Sequence, residues 1–204
     1  MKEAGMAFIG LGGVELLYCA DEYNASRTNE RAVEIPIAIH WMSPQEGLGL
    51  EVGNVLSHYM PRLWTCVDAF EYGPGVLNVD ILDFEPDERY DWIVSISTVE
   101  HIGWEGRGPD EDADVSKSLR AIEHMRGLLA PGGRMLLSFP TGVHPGLDEA
   151  AGSGAFNAED EVFMLRTDDV TERCPGSWAP AEFRAEPYRS EAWSAGGVWI
   201  GVLG

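Results

Sequence analysis

Between positions 47 and 142 short apolar runs alternate with turn residues, and one long amphipathic stretch interrupts them. Positions 48–52 read as a strand stopped by Gly53 and Asn54, 63–70 as a second and 75–81 as a third, each bounded by Gly, Pro or Asp. Positions 90–98 give the clearest strand, because Trp92, Ile93, Val94 and Ile96 make a run suited to burial on both faces of a parallel sheet. From 114 to 129 the apolar residues Val115, Leu119, Ile122, Met125 and Leu128 recur at helical spacing, and Pro131-Gly132-Gly133 follows. A further strand is expected over 134–139. Such alternation predicts an α/β, doubly wound, mostly parallel sheet with a ligand crevice at the carboxyl ends of its strands. On the flanks, apolar runs lie at Phe8-Ile9 and over 35–41, residues 143–192 are rich in Gly, Pro, Asp and Glu, and 193–204 reads as a strand.

A chain of 204 residues buries roughly 70% of its unfolded surface, enough for one domain without disulfides or structural metal. Its 34 acidic and 14 basic residues leave a net charge of −20, which argues against a nucleic-acid groove and against any polyanionic partner. Cys19, Cys66 and Cys174 form no metal-ligand spacing and read as free thiols of a reducing compartment, so no metal is expected. No apolar stretch approaches the about 20 residues of a membrane span, and no leader pattern opens the chain; a cytoplasmic protein that does not enter membranes is the expectation.

The predicted strand ends carry the chemistry. Glu51 and Gly53 close the first strand, and a sharp turn from Gly53 and Asn54 into a helix would offer backbone N–H groups to a small anion such as an amino-acid carboxylate. Asp68, followed by Glu71, ends the second strand, where a carboxylate can accept both hydroxyls of a ribose. Asp80 ends the third, placed to accept from an exocyclic amine while Ile81 and Leu82 cover the ring. Asp68 would equally serve as a solvated acid at a strand end, and Asp80 as an ordinary loop cap. In order they match a carboxylate, a ribose and an adenine, the parts of S-adenosylmethionine. Ser97 to His101 share the same rim.

Here the sequence resembles the class I S-adenosylmethionine-dependent methyltransferases, and the likeness runs on through YDWIVSISTVEHIGW and LLAPGGRMLLSFPTG, covering about residues 47 to 142. The resemblance implies a Rossmann-like methyltransferase fold of seven strands with an antiparallel last strand over 197–203. It also implies S-adenosyl-L-methionine as cofactor, held by Glu51, Gly53, Asn54, Asp68, Asp80, Ile81 and Ser97, with 1–46 as an N-terminal extension or lid and 143–192 as substrate-side loops. The chain departs from the family pattern in having one glycine where three are usual, and in the short AFEYGPG link after the second strand. The latter leaves Asp68 and Glu71 as alternatives for the ribose.

His101 is the candidate general base, since an imidazole titrates near neutral pH, with Glu100 to orient it, act as a second base or join a metal site, and His144 as a further candidate from the loop after the fifth strand. Structural hydrogen bonding is the competing role for each. His58 is expected on the first helix. Tyr59, Trp104 and Tyr188 are candidate walls of an acceptor pocket or else core aromatics, and Asn29, Glu30, Arg31 and Glu34 sit beside an apolar run read as a strand, as a cofactor cover, a site for a polar acceptor or a salt-bridged surface turn. The acceptor is expected to be a small molecule, a sugar or natural-product intermediate, methylated on oxygen, nitrogen or carbon. Two other readings stand beside this one: a non-catalytic binding or scaffold subunit, and an NAD-dependent oxidoreductase using Gly10, Gly12 and Gly13, where Glu15 replaces the last glycine of the usual motif.

Overall fold

The computed structural model describes residues 7–103, 114–167, 177–187 and 195–204. Trp104, Tyr188 and Cys174 lie outside them. The chain opens with a hairpin, β1 (Ala7–Ile9) and β2 (Glu15–Leu17), paired antiparallel. Gly12 and Gly13 adopt φ of +66° and +72° in its turn. The glycine run thus closes a hairpin instead of leading a strand into a helix, which removes the context a dinucleotide loop requires.

Next comes α1 (Arg31–Met42), where the sequence pattern reads as a strand. The segment is apolar almost all round and holds Pro36, so it lacks the one-sided stripe of a surface helix. Pro36 has no N–H for the carbonyl of Ala32, and Cys19 N donates to that oxygen instead at 2.9 Å.

The strands β3 (Gly49–Val52), β4 (Thr65–Val67), β5 (Val76–Leu77), β6 (Tyr90–Ile96) and β7 (Leu129–Pro140) run parallel. The helix α2 (Val115–Leu128) starts at Asp114, whose side chain accepts from Ser116 N. Then follow α3 (Pro145–Gly152), β8 (Asp160–Arg166), β9 (Trp178–Ala181) and β10 (Gly197–Leu203). The stretch 143–192, read from sequence as loops, therefore carries a helix and two strands.

The sheet order is β5-β4-β3-β6-β7-β10-β8-β9, with β10 antiparallel to both neighbours and β9 antiparallel to β8 on the outer edge. Apolar residues cover both faces. Met135, Leu137 and Phe139 of β7 pack with Ile122 and Met125 of α2, while Leu136 turns to the other face with Val33 and Ile37 of α1. This two-sided burial is why β6 and β7 read as unbroken apolar runs. The strand order reverses between β3 and β6, so the crevice should open at their carboxyl ends.

Candidate functional site

A cleft of about 370 Å³ opens there, lined by Val52 to Val55, Val67 to Glu71, Val79 to Ile81, Ser97, Thr98, His101 to Gly103 and Lys117. Its geometry starts from Gly53. This residue has φ +88°, and a β-carbon on it would collide with the Thr98 side chain at the end of the neighbouring strand, so the β3–β6 crossing requires glycine. The helix expected after Gly53 is absent; a single 3₁₀ turn, Leu56–His58, takes its place.

The loop's N–H groups are already used. Gly53 N donates to Val67 O, Asn54 N to Asp68 Oδ2 at 2.9 Å, and Val55 N and Leu56 N to Glu51 Oε1 at 2.9 and 2.6 Å. The expected row of free donors for an anion is therefore filled by the protein's own acids. Glu51 itself does not line the cleft. It lies on the face of β3 opposite Leu50 and Val52, is buried, and accepts from Trp64 Nε1 at 2.7 Å through its second oxygen. Desolvation raises its pKa in spite of those three bonds.

Asp68, Asp80, Ile81, Gly53, Asn54 and Ser97 do meet at the cleft. Asp68 Oδ1 accepts from Phe70 N and Glu71 N, both at 2.8 Å, which fixes the short link to β5. Glu71 Oε1 accepts from Asn54 Nδ2 and pairs with His58 Nε2 at 2.8 Å, leaving Oε2 without a bond among the described residues. His58 thus lies on the 3₁₀ turn instead of a helix, stacked on Tyr23 at 4.2 Å between centroids. Asp80 caps the 3₁₀ turn Ile81–Asp83 through Leu82 N and holds Lys117 Nζ at 2.6 Å. Partial burial works to raise the Asp80 pKa, but the Lys117 and Leu82 hydrogen bonds outweigh it, and the net shift is downward. Lys117 has no place among the residues that the sequence pattern singles out; its signal was its position in the first turn of the amphipathic helix beside the crevice.

At the other end of the cleft, Ser97 takes a left-handed φ of +37°. Its N–H donates to Ser138 O and its hydroxyl to Glu34 Oε1 at 2.7 Å, so two bonds hold the strained residue. His101 lines the cleft with its side chain 60% exposed, and desolvation by the walls together with the Arg31 charge pushes its pKa below 6.5. Glu100 stands one layer behind, 1% exposed, its Oε1 3.7 Å from His101 Nε2; burial raises its pKa well above the glutamate range.

His144 is placed elsewhere. It is buried at the start of α3, where Nδ1 accepts from Leu147 N and Nε2 meets Ser118 Oγ at 3.0 Å, a capping role that keeps it off the cleft wall. Tyr59 shares a hydrogen bond with Ser26 Oγ and also stays outside the lining. Asn29, Glu30, Arg31 and Glu34 are buried on or before α1 and form no surface turn. Among the described residues no group of three or more His, Cys, Asp or Glu is placed to hold a metal, and no helix is long and apolar enough to cross a membrane.

No protein-family model matches the sequence, and no curated protein is similar to it. Solved structures are similar in fold. The N-methyltransferase NodS from Bradyrhizobium japonicum WM9, in complex with S-adenosyl-L-homocysteine, is 15% identical, with 90% of this chain and 92% of that chain covered and a TM-score of 0.52. The sugar N-methyltransferase KedS8 from Streptoalloteichus sp ATCC 53650 is 14% identical, with 87% and 90% covered and a TM-score of 0.42. An S-adenosylmethionine-dependent methyltransferase from Clostridium acetobutylicum ATCC 824 is 10% identical, with 90% and 93% covered and a TM-score of 0.42.

Proposed function

We propose that this chain, which has the fold of the class I methyltransferases, binds S-adenosylmethionine in the cleft at β3, β4, β5 and β6 and passes its methyl group to a small-molecule acceptor, a sugar or natural-product intermediate. The observation that carries the reading is the convergence of Asp68, Glu71 and Asp80, which follow β4 and β5, on one cleft at the point where the strand order reverses. That cleft fits an adenosine: Val67, Val79, Ile81 and Ile102 offer apolar walls for a base, with carboxylates at its edges for hydroxyls and an amine. Asp68 and Glu71 would hold the ribose, Glu71 through its uncommitted Oε2, and Asp80 the adenine amine. The bound cofactor supplies an electrophilic methyl group on a sulfonium. His101, neutral at pH 7 because its pKa is depressed, would take a proton from the acceptor, with Glu100 behind it as a partner for the imidazolium. A net charge of −20 supports a small acceptor over nucleic acid, and the free thiols Cys19 and Cys66 support a reducing, cytoplasmic setting.

A second reading, a binding subunit without catalysis, is favoured by one feature: the loop amides are saturated by Glu51 and Asp68. Calorimetric titration of S-adenosylmethionine, S-adenosylhomocysteine and NAD tests both. Micromolar binding of the first two without NAD is expected. Binding of NAD alone would sink the methyltransferase reading, and binding of none would leave the subunit reading.

A further inference from the structure

Three carboxyls are buried against the inner end of the cleft. Glu30 and Glu34 come from α1 and the residue before it, Glu100 from the turn after β6, and they are 7%, 1% and 1% exposed. Arg31 is the cation they share. Its Nη1 is spent on Glu34 Oε2 at 3.3 Å and on Ile96 O at 3.1 Å. Glu34 is well served, accepting from the Ser97 and Ser138 hydroxyls at 2.7 Å each, and Glu30 accepts from Ala195 N at 3.0 Å. Glu100 is different. Among the described residues its Oε2 is buried with no hydrogen-bond partner, and its Oε1 lies 3.7 Å from His101 Nε2, beyond a normal hydrogen bond, so that its own backbone N–H is the donor its carboxyl has.

A buried carboxyl oxygen without a donor costs about 1–3 kcal/mol, and replacing buried polar groups by apolar ones is often neutral or stabilising, so local bonding does not account for the place of Glu100. Its position is informative instead. The two residues through which the cleft touches this acidic cluster are Ser97, bonded to Glu34, and His101, beside Glu100. The His101 side chain is 60% exposed and free to swing aside, which would open Glu100 to the cleft. A surplus of carboxyls in a desolvated wall favours a cation over a neutral group of equal size, because Coulomb attraction there is screened far less than in water.

We propose that the acceptor is an amine, taken up as its ammonium at the inner end of the cleft between Ser97 and His101, with Glu100 as its counter-charge. The assignment rests on the methyltransferase reading above for its use, though not for its binding. As the cation approaches, Glu100 releases to solvent the proton that burial makes it hold. The ammonium then loses one N–H proton to His101 Nε2; the bonding pair stays on nitrogen, giving a free amine and an imidazolium that Glu100 Oε1 faces.

The test uses the full chain, first titrated with S-adenosylhomocysteine, then probed with n-butylammonium and n-butanol by ligand-observed NMR, with and without that nucleoside. We expect the ammonium to bind at least tenfold tighter than the alcohol, and E100Q to cut the preference to about threefold or less. The surface control Glu149→Gln should leave it unchanged, which separates the site from the general acidity of the protein. Equal binding of the two probes, or a preference that survives E100Q, overturns the proposal. Failure of S-adenosylhomocysteine to bind while the ammonium preference persists would sink the cofactor reading alone.

Discussion

The two ends of the cleft treat their acids in opposite ways. At the β3–β4 end, Glu51 and Asp68 each take three donors, five of the six from backbone and four of those within five residues, and so build the loop that stands where a helix was expected. At the β6–β7 end, Glu100 is as buried as Glu51 but has an oxygen with no donor among the described residues. Burial alone does not separate a structural acid from a functional one. The count of donors does, because each donor offsets part of the desolvation of a buried carboxylate, and an oxygen without one has no such offset.

The contrast is broken most directly by substitutions of opposite sign. Glu51→Ala leaves Leu56 N and Trp64 Nε1 without their acceptor, while Val55 N keeps Gly53 O at 2.9 Å; each orphaned donor costs about 1 kcal/mol or more, so a loss of roughly 2 kcal/mol in urea unfolding is expected. Glu100→Gln should instead raise stability by on the order of 1 kcal/mol at pH 8 and leave it unchanged near pH 5. Folded Glu100 keeps its proton above the ordinary value of 4.5, so folding takes up a proton over that window. The contribution of Glu100 to stability then falls as pH rises from 4.5 upward, so the amide variant should show a shallower slope than the parent, Glu30, Glu51 and Asp148 keeping theirs. If both variants destabilise alike at pH 8, the distinction between the two ends is lost.

His144→Ala sharpens the comparison from outside the cleft. It removes the imidazole that Leu147 N and Ser118 Oγ bond, leaving them His144 O and Ile102 O, and an N-cap loss of about 1 kcal/mol or less is expected by thermal and urea unfolding. Cofactor affinity should stay within twofold. A tenfold loss would return His144 to the site.

Much of this was legible in the sequence, and the failures share a cause. The strands β6, β7 and β10 and the helix α2 follow from apolar runs and a one-sided stripe, and the meeting of Asp68 with Asp80 follows from their places at strand ends. Position along the chain does not give side-chain direction. Glu51 sits one residue from the end of β3, and the two-residue period of a strand turns it to the face away from the cleft. For α1, burial on most sides erased the periodicity that marks a helix, and Pro36 imitated a break. Contacts such as Glu34 with Ser97 and Ser138, or Lys117 with Asp80, join residues 63, 104 and 37 positions apart, and no local pattern announces them.

The Lys117–Asp80 pair supplies the smallest expected effect on folding and a separate view of the saturated end. Both side chains are about a third exposed, at 32% and 30%, so solvent screens the pair and Lys117→Met should change stability by less than about 1 kcal/mol. Its effect on binding should be larger than on folding. With Lys117 gone, Asp80 Oδ2 is freed for an exocyclic amine, and S-adenosylhomocysteine should bind two- to fivefold more tightly by calorimetry, while Asp80→Ala should weaken it by more than threefold. Should Lys117→Met instead weaken binding as much as Asp80→Ala does, the lysine is itself a ligand contact. The two ends of the cleft would then differ in donor count without that count marking which end receives the adenosine.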